Sequence, residues 1–408
     1  MPRKKSLIFS LLALVVICGF LAAPEPAFAA RKEKVLYSFC SEQGCDDGAG
    51  YPSNLIFDAA GNLYGTTIFG GLYNSGVVFQ LALGADGTWT EKVLYNFCSL
   101  QGCADGSAPQ SGLIFDAAGN LYGTGLGGEG VGGVVYQLAP GADGTWTESV
   151  LHSFSYGEGL PWGDLVFDTA GNLYGATLRG GNPGTVFELK PQGNGTWSEE
   201  TLYTFQGGSD GSVPFGPLVF DASGNLYGST AQGGIGNGGT VYELMPQTNG
   251  TWKKKALHGF GVGSDGTFPS SVIFDAAGNL YGTTSSGGAH NNGTIFRLSP
   301  RSNGRWKEAV LRSFQRVRGP AASLVFDTAK NLYGTTYVGG PGCPPYGCGT
   351  VFEFNPATRA YKVLCAFSRD RRGHGPDSSL ILDAAGNLYG TTMEGGAHGA
   401  GVVFEVMR

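Results

Sequence analysis

Charged residues are scarce in this sequence of 408 residues: there are 26 Lys and Arg and 32 Asp and Glu, together 14% of the chain. A disordered chain would be richer in charge and poorer in aromatic residues, which make up 12% here. The formal net charge is -6, whereas domains that bind nucleic acids are normally basic. A nucleic acid is therefore not expected as a partner. Long helical periods are also missing, since beyond residue 30 no uninterrupted period exceeds about a dozen residues.

Glycine, by contrast, is abundant, with 71 residues, about one in six against an ordinary usage of ~7%. The glycines do not recur at every third position, which excludes a collagen-like triple helix. Hydrophobic residues reach 41%, enough to build a core. The composition therefore predicts an all-β fold with many tight turns.

Residues 1–30 have the features of a signal peptide. Basic residues at positions 3–5 precede an apolar run from Leu7 to Ala23, and Ala27-Phe28-Ala29 supplies a small-x-small cleavage site. A membrane anchor is the alternative, although the run of about 17 residues is short for a span. No second apolar run of that length follows. We therefore expect residues 31–408 to form one exported domain, periplasmic or extracellular, with no membrane span after signal cleavage.

One nine-residue segment, first seen as Phe57-Asp58-Ala59-Ala60-Gly61-Asn62-Leu63-Tyr64-Gly65, recurs about every 54 residues. Its aspartates stand at seven positions: Asp58, Asp116, Asp168, Asp221, Asp275, Asp327 and Asp383. Three further segments recur in each period, and each is a short β-branched and aromatic run bounded by Gly, Asn and Asp, which is typical of strands. Four strands per period, repeated seven times, predict a seven-bladed β-propeller with four antiparallel strands per blade.

The order of the segments predicts how the ring closes. The chain starts with a strand at residues 35–39 of the type that elsewhere ends a period, and its last segment, residues 401–406, is of the third-strand type. We therefore expect the N-terminal strand to complete the last blade, which removes an open sheet edge. A linear solenoid is the alternative, but no atypical terminal repeat that would cap it is visible.

The repeated aspartates are interpreted as structural. Asp-Ala-Ala-Gly-Asn predicts a type I turn in which Gly takes a positive φ and Asp caps the turn amides. A catalytic role would require one asymmetric set of groups, and calcium would require further oxygen ligands nearby. A tryptophan begins the fourth strand in five blades, and we expect these residues to cover the seams between blades: Trp89, Trp146, Trp197, Trp252 and Trp306.

One copy of the repeat carries a family resemblance. It reads Leu113-Ile114-Phe115-Asp116-Ala117-Ala118-Gly119-Asn120-Leu121-Tyr122-Gly123, and a Gly-rich stretch and a Val-Phe strand follow. This combination resembles the Gloeo/Verruco tandem repeat of exported bacterial proteins with varied surface-anchoring tails, and the resemblance covers residues 34–408. It implies no catalytic residues. Because this sequence ends on a strand, an anchoring tail is not expected.

The loops between blades and those between second and third strands carry nearly all the sequence variation and fall on one face, the candidate binding face. Two neighbouring loops are basic, with candidate residues Arg316, Arg318, Arg369, Arg371, Arg372 and His374. One interpretation is an off-centre site for an anionic ligand such as an acidic sugar or a carboxylate. The other is solvated surface charge.

Trp162 is the one tryptophan outside the repeated position, and Asp164 follows it closely. An exposed aromatic ring beside a carboxylate suits stacking on a sugar together with a hydrogen bond. Packing of Trp162 against the neighbouring loop is the equal alternative.

Six cysteines form three Cys-x4-Cys pairs: Cys40 with Cys45, Cys98 with Cys103, and Cys343 with Cys348. In an exported chain this spacing predicts local disulfides that pin loops of the candidate binding face. A zinc site is the competing interpretation, but each pair supplies only two ligands. No metal or other cofactor is expected.

No nucleophile has a recognisable catalytic pattern around it. The sequence therefore favours a non-enzymatic, monomeric, exported binding or scaffold protein that holds a glycan or a cell-surface protein on its loop face. A propeller lyase or hydrolase acting on an acidic polysaccharide or a lactone, with Asp377 beside the basic loops, is the alternative.

Overall fold

Seven four-stranded antiparallel sheets make up the fold, which confirms the predicted β-propeller. The computed structural model describes residues 33–128, 131–178, 183–315, 319–320, 322–340, 343, 345–369 and 372–408. The predicted signal peptide, residues 1–30, lies outside the described residues. Among the residues that are described, no helix is long and apolar enough to cross a membrane.

Each of the first six blades takes four strands that are consecutive in the chain. From the ring axis outward they are β2–β5 (Ile56–Phe57, Leu63–Thr67, Val77–Leu83, Trp89–Asn96), β6–β9 (Ile114–Phe115, Leu121–Leu126, Val131–Pro140, Trp146–Ser155), β10–β13 (Val166–Phe167, Leu173–Thr177, Thr185–Pro191, Trp197–Thr204), β14–β17 (Ser212–Phe220, Leu226–Gln232, Thr240–Pro246, Trp252–Gly259), β18–β21 (Gly266–Phe274, Leu280–Gly287, Thr294–Pro300, Trp306–Ser313) and β22–β25 (Val325–Phe326, Leu332–Thr336, Thr350–Phe354, Tyr361–Ala366). Three short 3-10 helices lie in loops between blades: Gln43–Cys45, Gln101–Cys103 and Gly208–Asp210.

Blade 7 closes the ring with strands from both ends of the chain. It consists of β26 (Ile381–Leu382), β27 (Leu388–Thr392), β28 (Val402–Val406) and, outermost, β1 (Glu33–Ser38). Strand β1 runs antiparallel to β28, with Glu33 opposite Val406 and Ser38 opposite Val402. The predicted closure by the N-terminal strand is therefore confirmed, and the outer edge of β28 is paired rather than open.

The repeated aspartate caps its turn as predicted. In blade 1, Asp58 accepts hydrogen bonds from the backbone N–H of Ala60, from the backbone and side chain of Asn62, and from the Tyr64 hydroxyl, at 2.7–3.0 Å. Gly61 takes the expected positive φ, 85°. Burial raises the pKa of Asp58, but the hydrogen bonds from Asn62, Tyr64 and Ala60 outweigh it, so the pKa lies below its usual value. In all seven copies the Asp carboxylate accepts hydrogen bonds from both the backbone N–H and the side-chain Nδ2 of the Asn four residues later.

Aromatic side chains fill the seams between blades. Tyr64 of blade 1 meets Phe115 and Trp146 of blade 2 edge-on, with ring centroids 5.1 and 6.4 Å apart. The same contact recurs in the pairs Tyr122–Trp197, Tyr174–Trp252 and Tyr227–Trp306. The predicted seam role of these tryptophans is confirmed, and each such pair contributes about 0.5–1.5 kcal/mol beyond its buried area. Strand β1 has no tryptophan, and in that seam the Arg408 guanidinium lies 4.6 Å from the Tyr333 ring centroid.

The two faces of the ring differ. The turn face carries the Asp58-type turns and the hairpins between third and fourth strands, for example residues 84–88. The variable face carries the seven connectors between blades and the loops between second and third strands. The three disulfides all lie in loops of the variable face, as predicted: Cys40–Cys45, Cys98–Cys103 and Cys343–Cys348.

Carboxylates meet at the outer part of three seams. Glu91 of β5 has one buried oxygen that no donor among the described residues reaches. Burial, together with the nearby charges of Asp47 and Glu42, raises the pKa of Glu91 to about 8. Two equivalent residues behave similarly, since burial beside an aspartate raises the pKa of Glu148 and of Glu308 to about 7.

We predict that Glu91, Glu148 and Glu308 make the folded state less stable as the pH rises from about 4.5 to about 8. These three glutamates hold protons more tightly when folded, so their stabilising effect is complete below the unfolded pKa and is lost as the pH rises through the folded pKa. Glu91→Gln should raise the thermal midpoint by roughly 1–3 °C near pH 8 and change it little near pH 5.

Differential scanning calorimetry measures both midpoints. The matched control is Glu199→Gln, at the equivalent position in blade 3, where the preceding connector has no counterpart of Asp47. Equal shifts in the two variants, or a shift for Glu91→Gln that does not depend on pH, would contradict the prediction.

Candidate functional site

The seven connectors converge on the axis of the ring. Each blade contributes the residue that stands immediately before a buried Leu or Val at the axis: Asn54, Gly112, Asp164, Pro217, Ser271, Ser323 and Ser379. Above them, on the variable face, a cavity of about 220 Å³ is lined by residues of all seven blades, which lie in the connectors of five blades and in strands β14 and β18 of blades 4 and 5. We call this cavity the axial pocket.

Asp164 forms the centre of the pocket floor. Its Oδ2 accepts a hydrogen bond from Asn54 Nδ2 at 2.7 Å, and its Oδ1 accepts one from the backbone N–H of Gly112 at 2.6 Å. Burial raises the pKa of Asp164, and these two hydrogen bonds offset part of that rise. Gly112 is required by space, because a Cβ there would lie 2.9 Å from both Asn54 Cβ and Asp164 Oδ1.

The hydrogen bonds continue around the axis. Asn54 Oδ1 accepts from the backbone N–H of Ser379 at 2.7 Å, Ser379 Oγ accepts from the N–H of Ser323 at 3.2 Å, and Ser271 Oγ bonds Ser323 Oγ at 2.6 Å. Together with the Asp164 bonds, this floor network links six of the seven blades. Blade 4 joins by backbone packing instead, since a Cβ on Gly216 would lie 2.2 Å from a carbonyl oxygen of blade 5.

Aromatic and amide side chains form the walls of the pocket. Trp162 is half-buried, and its backbone N–H donates to the Ala176 carbonyl of β11 at 3.0 Å, which fixes the connector beside its blade. Tyr51 and Phe215 line other parts of the wall. Gln110 also lines it, and its buried Oε1 has no hydrogen-bond donor among the described residues.

Asp377 stands at the rim of the pocket. Its side chain is exposed at the mouth, but the protein around it on the pocket side raises the pKa of this carboxyl to about 6. With Asp164, Asp377 gives the described lining a negative charge, and this lining includes no Lys, Arg or His.

The residues predicted as a site separate into two places. Trp162 and Asp164 lie together in the axial pocket. Arg369 and His374 instead line a second cavity of about 230 Å³ away from the axis, beside the Cys343–Cys348 disulfide. There His374 Nε2 lies 3.7 Å from a carboxylate oxygen of Glu394 on the neighbouring loop.

The remaining basic candidates are less informative. Arg372 donates to Ser368 Oγ at 2.7 Å. Arg316, Arg318 and Arg371 lie outside the described residues. The anionic-ligand interpretation of these loops therefore stays a prediction. Asp377, which the enzyme hypothesis grouped with them, lines the axial pocket and not the off-axis cavity.

Sequence reasoning missed the other members of the floor network. Asn54, Gly112 and the three serines come from segments as far apart in the chain as residues 54 and 379. A signal was present, because the position before the axial Leu or Val differs between copies while its neighbours repeat. In the described part of the chain, no three His, Cys, Asp or Glu side chains are grouped closely enough to hold a metal ion.

Comparisons with known proteins agree with this fold. The family model described as the Gloeobacter/Verrucomicrobia repeat matches residues 27–219, 127–343 and 182–404, which together span most of the chain. A search of curated proteins found none that matches. Among solved structures, the extracellular domain of a protein described as a hybrid two-component system from B. thetaiotaomicron aligns with a TM-score of 0.51 at 13% identity. That alignment covers 92% of this chain and 41% of the other, and at this identity it shows a shared fold alone.

We predict that Gly112→Ala lowers the free energy of unfolding by about 1–3 kcal/mol, the usual effect of overpacking. The new methyl group would push Asp164 away from Asn54 and so break the floor network. Guanidinium denaturation measures the loss. In the double variant Gly112→Ala/Asp164→Ala the penalty should be smaller than the sum of the single effects. A Gly112→Ala variant as stable as the unmodified protein would contradict the steric argument.

Proposed function

The chain belongs to the Gloeobacter/Verrucomicrobia repeat family, and we propose that it is an exported, non-enzymatic propeller that binds a glycan in the axial pocket. Three disulfides support export, because such bonds persist in oxidising compartments. A periplasmic or extracellular location follows from export. A cavity of about 220 Å³ suits one sugar unit of an oligosaccharide, with the neighbouring units lying over the variable face.

The observation that carries this proposal is the position of Trp162 beside Asp164 and Asn54 in one pocket. A sugar ring presents C–H groups on its faces and hydroxyl groups at its edge. An indole face next to fixed donors and acceptors therefore matches both parts of it. Asp164 and Asn54 hold each other in place, so the site is organised before a ligand arrives, which reduces the entropic cost of binding.

The lining favours binding over chemistry. Both oxygens of Asp164 accept a hydrogen bond from an N–H group, which fixes the orientation of this carboxylate as a hydrogen-bond acceptor for a ligand. Among the described lining residues there is no histidine, cysteine or lysine to act with it as a nucleophile or base.

We predict that Trp162→Ala weakens binding of oligosaccharides about tenfold or more, because a central aromatic anchor is removed. Isothermal titration calorimetry with a panel of neutral and charged oligosaccharides measures the affinity. Tyr156→Ala is the matched control, since Tyr156 lies in the same connector and is 64% exposed. The proposal fails if no member of the panel binds, or if Trp162→Ala binds as tightly as the unmodified protein and the Tyr156 control.

A further inference from the structure

The charges of the axial pocket point to a particular class of glycan. Resting on the proposed function, we infer that the preferred ligand carries protonated amino groups, as in oligomers of glucosamine, with one ammonium group paired with Asp377 at the rim of the axial pocket. An acidic or a fully N-acetylated oligomer would bind more weakly at the same place.

The described lining residues include two carboxylates and no cationic side chain. This charge favours a ligand that carries a positive charge. An acidic sugar would bring a third negative charge into a half-enclosed space where charges are poorly screened. A neutral sugar could donate hydroxyl hydrogen bonds to Asp377 but would leave its charge uncompensated. An ammonium group would pair with it, and hydrogen bonds between ionised partners are roughly twice as strong as neutral ones.

Asp377 has the free capacity for such a partner. No described residue donates a hydrogen bond to its carboxylate, and the protein packed on its pocket side raises its pKa to about 6. Asp164 differs, because Asn54 and Gly112 occupy one lone pair on each of its oxygens and fix its orientation. The inner carboxylate is thus a fixed acceptor, and the rim carboxylate is one to which no described residue donates.

The remaining groups of the pocket fit the rest of an amino sugar. Gln110 also lines the pocket, and its side-chain amide adds a polar group beside the ligand hydroxyls. Trp162 and Phe215 provide aromatic faces, which attract both sugar C–H groups and a nearby ammonium group. One pocket therefore offers recognition of the ring and of the charge at the same time.

The experiment compares three oligomers of equal length: glucosamine, its fully N-acetylated form and galacturonate. Titration calorimetry is carried out at about pH 6.5–7, above the pKa of Asp377, so that this carboxylate is ionised while pairing with it keeps the bound amino group protonated. We expect the glucosamine oligomer to bind about tenfold more tightly than the N-acetylated one, and added salt should reduce this preference. Galacturonate should bind more weakly than both.

Two variants test whether Asp377 causes the preference for the glucosamine oligomer. Asp377→Asn should bring the two hexosamine oligomers to within about twofold of each other while N-acetylated binding persists. Asp46→Asn is the matched control, because Asp46 is exposed on the same face but does not line the pocket, and it should keep the preference. Thermal midpoints establish that both variants are folded.

The outcomes separate this inference from the proposed function. If the two hexosamine oligomers bind equally and both are lost in Trp162→Ala, the inference is wrong and glycan binding stands. If the preference survives Asp377→Asn, or if galacturonate binds most tightly, the inference is wrong as well. If none of the oligomers binds, both proposals are overturned.

Discussion

The hydrogen bond between the repeated aspartate and the repeated tyrosine connects the turn within a blade to the packing between neighbouring blades. In blade 1, Asp58 caps its own turn and also holds the Tyr64 hydroxyl at 3.0 Å. The tyrosine ring thereby points across the seam to Trp146 of the next blade. One carboxylate thus fixes both a local turn and the angle between neighbouring sheets. The same hydrogen bond is present in blades 2, 3, 4, 6 and 7, so this contact orients the tyrosine at most seams of the ring.

Symmetry also determines where a function can reside. Residues that recur in every blade stabilise the turns within blades and the packing between neighbouring blades. The axial positions are different because all seven meet at one point and must share it. Seven identical side chains there would collide or repel one another. Asparagine, glycine, aspartate and serine at six of these positions instead form a hydrogen-bonded network that no single blade could build.

The fold could be predicted from the sequence because its information is local and repeated: strand, turn and tryptophan follow in the same order in successive blades. Trp162 and Asp164 could be singled out because they depart from that order. The floor network could not be predicted, since the partners of Asn54 lie 110 and 325 residues away and nothing near Asn54 marks them. The basic residues illustrate the opposite case. Their charge is evident in the sequence, but only the fold places Arg369 and His374 away from the axis.

The closure of blade 7 also fixes the orientation of the molecule. Strand β1 begins at Glu33 and β28 ends beside it at Val406, and both positions lie on the turn face. The mouth of the axial pocket opens on the opposite side. A support, label or fusion partner joined at either end of these strands would therefore sit behind the ring and leave the mouth facing outward. The same pairing that closes the propeller thus leaves the face of the axial pocket clear of both strand ends.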